Sequence, residues 1–364
     1  VKKMIAGALL GVLMVLLSGC WDELSMANRA SALVLSVQPA PNQRLKWTFY
    51  FPNPAVTINS LNNLSAGQQF YEASATAASL GRAYQKVQIQ LARDLYMGQL
   101  EDVVISRRLP ADTLSEVINA YNREGILPKT VYILARSAAL NTGLPVTVQD
   151  PVPTVYLTKY FDCRACQPVE LAQPAWKVWD KLRTPGVSPV IPYESKTTRI
   201  SELLVYPVNG QPRLLSHRLT VGWAYLTNHV IKESLSYSTP EGQVTVNNIT
   251  SHARVKLTLR RGMLQAFVTI HANGDLTQWP PSTAVTPKDI RVVESKAARQ
   301  LVASCLDTVQ FADRTHTDPF GWGRDYLFRH PGSSLEFSKH GGMIWPINAH
   351  VTVTMHIPTV GVSS

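Results

Sequence analysis

The chain has 364 residues, enough for two or three domains with their own cores, and 45% of them are apolar. Its formal net charge of +10 comes without any dense basic run, which argues against a nucleic-acid partner and leaves a mildly basic, solvated surface. Beyond the first twenty residues no apolar run approaches the length of a membrane span, so the body reads as soluble. The start of the chain is different. Lys2-Lys3, the apolar run Met4–Leu17 and the small residues Ser18-Gly19 before Cys20 have the layout of a lipoprotein signal. The start is positive, the core is too short to span a bilayer permanently, and a cysteine stands where its thiol is diacylated and the chain cut. An ordinary secretory signal ending on a chance cysteine is the alternative. The mature chain is expected to begin at Cys20, with thioether-linked and amide-linked acyl chains holding it to a membrane.

Ala32–Val37 is expected as a buried strand, and Leu45–Phe51 as its partner across the turn Pro39–Gln43. Ser65-Ala66-Gly67-Gln68 reads as a capping box that opens a helix through about Leu80, with Phe70, Ala73, Ala77 and Leu80 on one face. Strands are expected at Val87–Leu91, Val103–Ile105 and Val131–Leu134, and a helix from Pro110 that carries Leu114, Val117, Ile118 and Tyr121. From Pro145 to Pro192 prolines become frequent, with a strand-like Val155–Tyr160 and one short aromatic helix, Ala175–Leu182. The rest is strand-rich. Leu203–Tyr206, Arg218–Leu226, Gln243–Ile249, His252–Arg260 and Met263–His271 all read as strands, with a tight turn at Arg261-Gly262 and an end at Ala272–Asp275. Thr286-Pro287-Lys288-Asp289 caps a helix to about Val309 that turns Ile290, Val293, Ala297, Leu301 and Cys305 toward a core. Cys305 is therefore expected to be a buried thiol. Asp318–Gly323 reads as a loop, and Ala349–Ile357 as a last strand.

Residues with chemistry are sparse. Cys163 and Cys166 form a CxxC, which a redox or zinc site would need, but no second ligand pair accompanies it. A local disulfide, or two free thiols, is the simpler reading. His350 and His356 share one face of the last strand, which is expected to face solvent. Asp318, Asp325 and Glu336 are expected to be solvated carboxylates of a polar loop, with an acid pair among them as the alternative. Neither Gly-x-Ser-x-Gly, HExxH nor a Gly-rich phosphate loop occurs, so no catalytic residue, metal ligand or cofactor is assigned.

The segments Gly19–Leu24, Gln68–Ala77, Leu95–Leu100, Val221–Tyr225 and Asp318–Gly323, taken together, resemble the Ger(x)C family, the C-subunit lipoproteins of spore germinant receptors. Gly19-Cys20-Trp21-Asp22-Glu23-Leu24 is similar to the family's opening, without its usual basic residue after the acid. Gln68–Ala77 with Glu72-Ala73 resembles an early helix of the family. Leu95-Tyr96-Met97-Gly98-Gln99-Leu100 resembles its Leu-Tyr-Phe-Gly-His-Leu segment, and Val221-Gly222-Trp223-Ala224-Tyr225 its Gly-Thr-Ala-Val-Phe strand. Asp318-Pro319-Phe320-Gly321-Trp322-Gly323 is similar to its Asp-x-Phe-Gly-x-Gly loop.

The resemblance implies a non-catalytic lipoprotein on the outer face of the spore inner membrane, assembled with integral membrane A and B subunits into a nutrient receptor. It implies a tethered structural partner, neither catalyst nor nutrient binder. A solute-binding lipoprotein of a membrane transporter is the alternative, and the strand-rich second half argues against its two lobes. The expected fold is multi-domain α+β, each domain a mostly antiparallel sheet packed with helices. The expected division is a signal at 1–19, an N-terminal domain at 20–144, a proline-rich connector or small domain at 145–197, and a C-terminal domain at 198–364. Beyond Cys20, the expected contacts to a partner are Phe320, Gly321, Trp322 and Gly323, two aromatic anchors beside two permissive glycines. Rings that plug the domain's own core are the other reading of Phe320 and Trp322.

Overall fold

The structure is a computed structural model and describes residues 28–53, 70–123, 128–137, 153–163, 166–195, 200–239, 242–280, 284–333 and 345–360. Strands β1 (Arg29–Ser31), β2 (Val34–Ala40), β3 (Arg44–Pro52) and β4 (Phe70–Ala77) precede helix α1 (Leu80–Gln88). Then come β5 (Asp94–Tyr96), β6 (Asp102–Ser106), helix α2 (Ala111–Arg123) and β7 (Tyr132–Arg136). Helices α3 (Pro153–Asp162) and α4 (Ala175–Arg183) lead to β8 (Val190–Glu194), β9 (Ile200–Val205) and β10 (Arg213–Leu215). The remainder is α5 (His217–Thr227), β11 (Glu233–Thr239), β12 (Gly242–Arg260), β13 (Met263–Gln278), α6 (Pro287–Arg314), α7 (Trp322–Arg329) and β14 (Ile347–Val360).

These elements make an α+β fold with two main sheets. The first has the order β10-β9-β8-β7-β6-β2-β3-β4. Its four middle strands are parallel, and antiparallel pairs flank them at both edges. The middle strands are short apolar runs, and every residue of β6 is buried, as a strand covered on both faces requires. Helices α1, α2 and α4 lay Leu80, Leu114 and Val178 onto one face, over Trp47, Phe49 and Phe51. The second sheet, β11-β12-β13-β14, packs against α5 and α6 around Trp223, Ile270, Leu301 and Cys305. β9 and β10 lie beyond residue 198 in the chain yet complete the first sheet, so that sheet crosses the expected division.

Where local signals were strong, the elements stand as expected. Thr286 accepts from the Asp289 N–H and Asp289 caps back, so α6 starts at Pro287; it runs past Val309 to Arg314 and buries Cys305 completely. Arg261 and Gly262 take φ of 52° and 74°, the left-handed pair that a tight hairpin needs between β12 and β13.

Elsewhere the expected elements are replaced. From Phe70 on, the helix expected to Leu80 is strand β4, whose Ala73, Ala75 and Ala77 pair with Phe49, Trp47 and Leu45; its expected cap at Ser65–Gln68 lies outside the described residues. Small residues opposite large ones fill the sheet face evenly, and the true helix starts later, with Ser79 accepting from the Arg82 N–H. The strand expected at Val87–Leu91 is the end of α1 and its turn, leaving Ile89 86% exposed. Val155–Tyr160 lies in helix α3, opened by Pro153. Arg218–Leu226 is not a strand but helix α5. It is buried all round from Thr220 to Leu226, and such a helix shows no polar face to reveal its period. Gln243–Ile249 and His252–Arg260 are one strand, β12, bulged where Asn248 takes φ 52°, and β13 runs through Ala272–Asp275 to Gln278.

Candidate functional site

The loop from Asp318 to Gly323 follows α6 and opens α7. Asp318 is completely buried. Its Oδ1 accepts from the backbone N–H of Phe320 (3.0 Å) and Gly321 (2.9 Å), and its Oδ2 from that of Gly323 (2.6 Å). The side chain thus satisfies donors that the start of α7 would leave orphaned. Burial pushes its carboxyl up to about 6, while the N–H donors of Gly323, Trp322, Gly321 and Phe320 pull it the other way. The expectation that Asp318 is a solvated loop carboxylate is corrected: it is the internal fastening of the loop. Asp325 is partly exposed and paired with Arg324 at 3.0 Å, and Glu336 lies outside the described residues.

A second strand of chain locks into this loop. Between α4 and β8, the Ser188 N–H donates to the Asp318 carbonyl (2.8 Å), and the Asp318 N–H donates to Ser188 Oγ (3.0 Å). The Arg324 N–H donates to the Gly186 carbonyl at 2.8 Å. A Cβ on Gly323 would stand 2.7 Å from the Gly186 oxygen, and one on Gly186 (φ 73°) 2.7 Å from Arg324 N. The glycines do allow a close approach, and what approaches is the chain's own segment Gly186–Ser188. The two halves of the molecule are clasped here.

Phe320 and Trp322 are correspondingly inside, at 9% and 3% exposure, with rings stacked 4.3 Å apart. The reading of them as exposed anchors for a partner is therefore corrected, and with it that of the buried Gly321 and Gly323. Their neighbour Trp223, on α5, donates its indole N–H to the Pro319 carbonyl at 2.9 Å. Sequence reading missed Gly186 and Ser188, whose only local mark is the turn dipeptide Pro185-Gly186.

The other expected residues are scattered. Cys20 lies outside the described residues. Cys163 and Cys166 are joined in a disulfide after α3. His350 and His356 are exposed on one face of β14; His350 stacks on Phe267, and His356 lies 3.5 Å from Glu294. Among the described residues no helix is long and apolar enough to cross a membrane, and no three His, Cys, Asp or Glu side chains are grouped to hold a metal ion.

Residues 22–196 match the family model described as Spore germination protein N-terminal domain, and residues 213–361 that described as Spore germination B3/ GerAC like, C-terminal. Among solved structures the chain is similar to the crystal structure of the GerBC protein, with a TM-score of 0.54 at 12% identity, over 89% of this chain and 96% of that one. No protein with a curated description matches. With both halves matched, the chain belongs to the GerAC/GerBC-like family of spore germination proteins.

Proposed function

We propose that the protein is a non-catalytic lipoprotein subunit of a nutrient germinant receptor, required for spore germination. In this reading diacylated Cys20 holds it on the outer face of the spore inner membrane, beside the integral membrane A and B subunits. The observation that carries it is the family match over both halves, with Leu17-Ser18-Gly19-Cys20 directly before the first matched residue group. The distances suit a tether. Cys20 and the start of β1 at Arg29 are 29 − 20 = 9 residues apart, which span at most about 30 Å. A body on so short a leash stays within reach of membrane subunits. The clasp at Asp318 also suits a scaffold, because it couples both sheets into one body.

The test is a Cys20→Ala variant in spores fed labelled palmitate. The native chain should take up label, fractionate with the spore inner membrane and bring the A and B subunits down with it. The variant should take up none and leave the membrane, and spores carrying it should respond poorly to nutrients. Fatty-acid label on the variant refutes the anchor, and a native chain that brings down neither membrane subunit refutes the receptor assignment.

A further inference from the structure

We infer that a cavity beside the clasp binds a small organic anion, a carboxylate carried on a flat apolar body. The cavity is about 390 Å³, within the range of small-molecule sites and far larger than one hydrated inorganic ion needs. Part of its wall is aromatic. Trp223, Phe320 and Trp322 line it, and the His229 ring lies over Trp223 with centroids 4.6 Å apart. The Trp223 indole, 1% exposed and with its N–H spent on Pro319, backs the partly exposed His229 ring, which presents the flat face. Val255 and Leu257 from β12 extend that surface.

The rest of the wall is cationic. Lys177 and Lys181 come from α4, Arg324 and Arg329 from α7. The lining holds one carboxylate, Asp325, and Arg324 occupies it at 3.0 Å. Among the described residues no carboxylate lies in ion-pair range of Lys177, Lys181 or Arg329. Lys181 Nζ donates instead to the neutral Gln173 Oε1 at 3.2 Å. The cations also feel one another. Burial pushes the Lys181 ammonium down to about 8, with Arg324 and Lys177 acting in the same sense and Asp180 opposing. Burial likewise holds His229 below its ordinary value, helped by Lys181 and Lys177 and opposed by Glu170 and Thr227. Like charges gathered at a void are a standing repulsion that a bound anion relieves. The partly exposed His229 ring, Val255 and Leu257 fix the rest of the ligand, since a bare ion would leave these surfaces in contact with water. This goes beyond the receptor-subunit reading and stands without it.

The test uses the full chain purified in detergent, followed by tryptophan fluorescence and calorimetry. The probes are benzoate, inorganic phosphate and vesicles of phosphatidylglycerol. Lys181→Met removes a cavity charge; Lys288→Met removes an exposed charge at the start of α6; Lys177→Met serves if the first variant does not fold. Benzoate should bind saturably, about tenfold more weakly to K181M and unchanged to K288M, as loss of one charge-assisted contact requires. Its affinity for the native chain should fall as pH rises through about 8, where Lys181 loses its proton, and K181M should lack that step. Absence of saturable benzoate binding overturns the inference, as does equal binding to K181M. Phosphate binding as tight as benzoate makes the cavity a bare charge patch, and Lys181-dependent binding of vesicles alone makes it a lipid-headgroup site. Either result also overturns it.

Discussion

Replacing Asp318 with alanine should weaken the molecule by about 3 kcal/mol at neutral pH, although the side chain is nowhere near the surface. The variant orphans three buried backbone donors, those of Phe320, Gly321 and Gly323. At about 1–3 kcal/mol each, that loss centres near 6 kcal/mol. Against it stands a gain. A carboxyl held at about 6 instead of its ordinary 3.8 carries roughly 3 kcal/mol of ionisation cost at neutral pH, and alanine removes that cost. The difference is the prediction. At about 2.1 cal/mol/K of unfolding entropy per residue, a chain of this size should lose about 4 °C in Tm, or show an equivalent shift in urea midpoint. Asp325→Ala is the control, since it removes a partly exposed pair with Arg324 and should cost under about 1 kcal/mol. Circular dichroism during thermal and urea unfolding measures both variants. A D318A loss no larger than that of D325A would refute the reasoning, because the three donors would then have found other partners.

The same carboxyl gives a pH prediction. Its folded value lies above the unfolded one, so the stability it contributes is fully present below about pH 4 and is lost as pH rises through about 6. The D318A deficit should therefore grow as pH is lowered from 7 to 4, and a flat or opposite trend in urea midpoints would contradict it. Cys305 should resist thiol reagents in the native chain, because it is fully buried and its thiol is pushed up to about 12 by burial. Mass spectrometry after iodoacetamide should show it labelled only with denaturant, and rapid native labelling would mean that α6 is mis-phased.

What was legible in the sequence was legible for local reasons. The cap at Thr286 and the turn at Arg261-Gly262 are set by residues within four positions of each other, so α6 and the β12–β13 hairpin could be read directly. The segment Phe70–Ala77 could not, because Ala73 and Ala77 fit a helical spacing while Ala73, Ala75 and Ala77 fit a strand. Only the aromatics of β3 opposite them decide. Helix α5 was hidden by its surroundings. Gly222 sits where a Cβ would be 2.5 Å from the Ser304 carbonyl, so α5 and α6 meet backbone to backbone and every side of α5 is covered. The loop at Asp318 was found by its composition, but its meaning was not, because Ser188 lies 130 residues away. Aromatic rings beside glycines do mark an interface. Here it is an interface of the chain with itself.

The clasp and the cavity are also one mechanical object. Helix α4, which carries Lys177 and Lys181, ends at Arg183, three residues before Gly186. Helix α7, which carries Arg324 and Arg329, begins on the donors that Asp318 accepts, and its Arg324 N–H holds Gly186. The contacts among Gly186, Ser188, Asp318 and Arg324 therefore tie together the two helices whose cations repel each other across the void. They hold the two helices together against that repulsion. An anion between those cations relieves the same repulsion that the clasp opposes. A ligand that binds only the closed arrangement strengthens the clasp by the same free energy by which the clasp strengthens its binding.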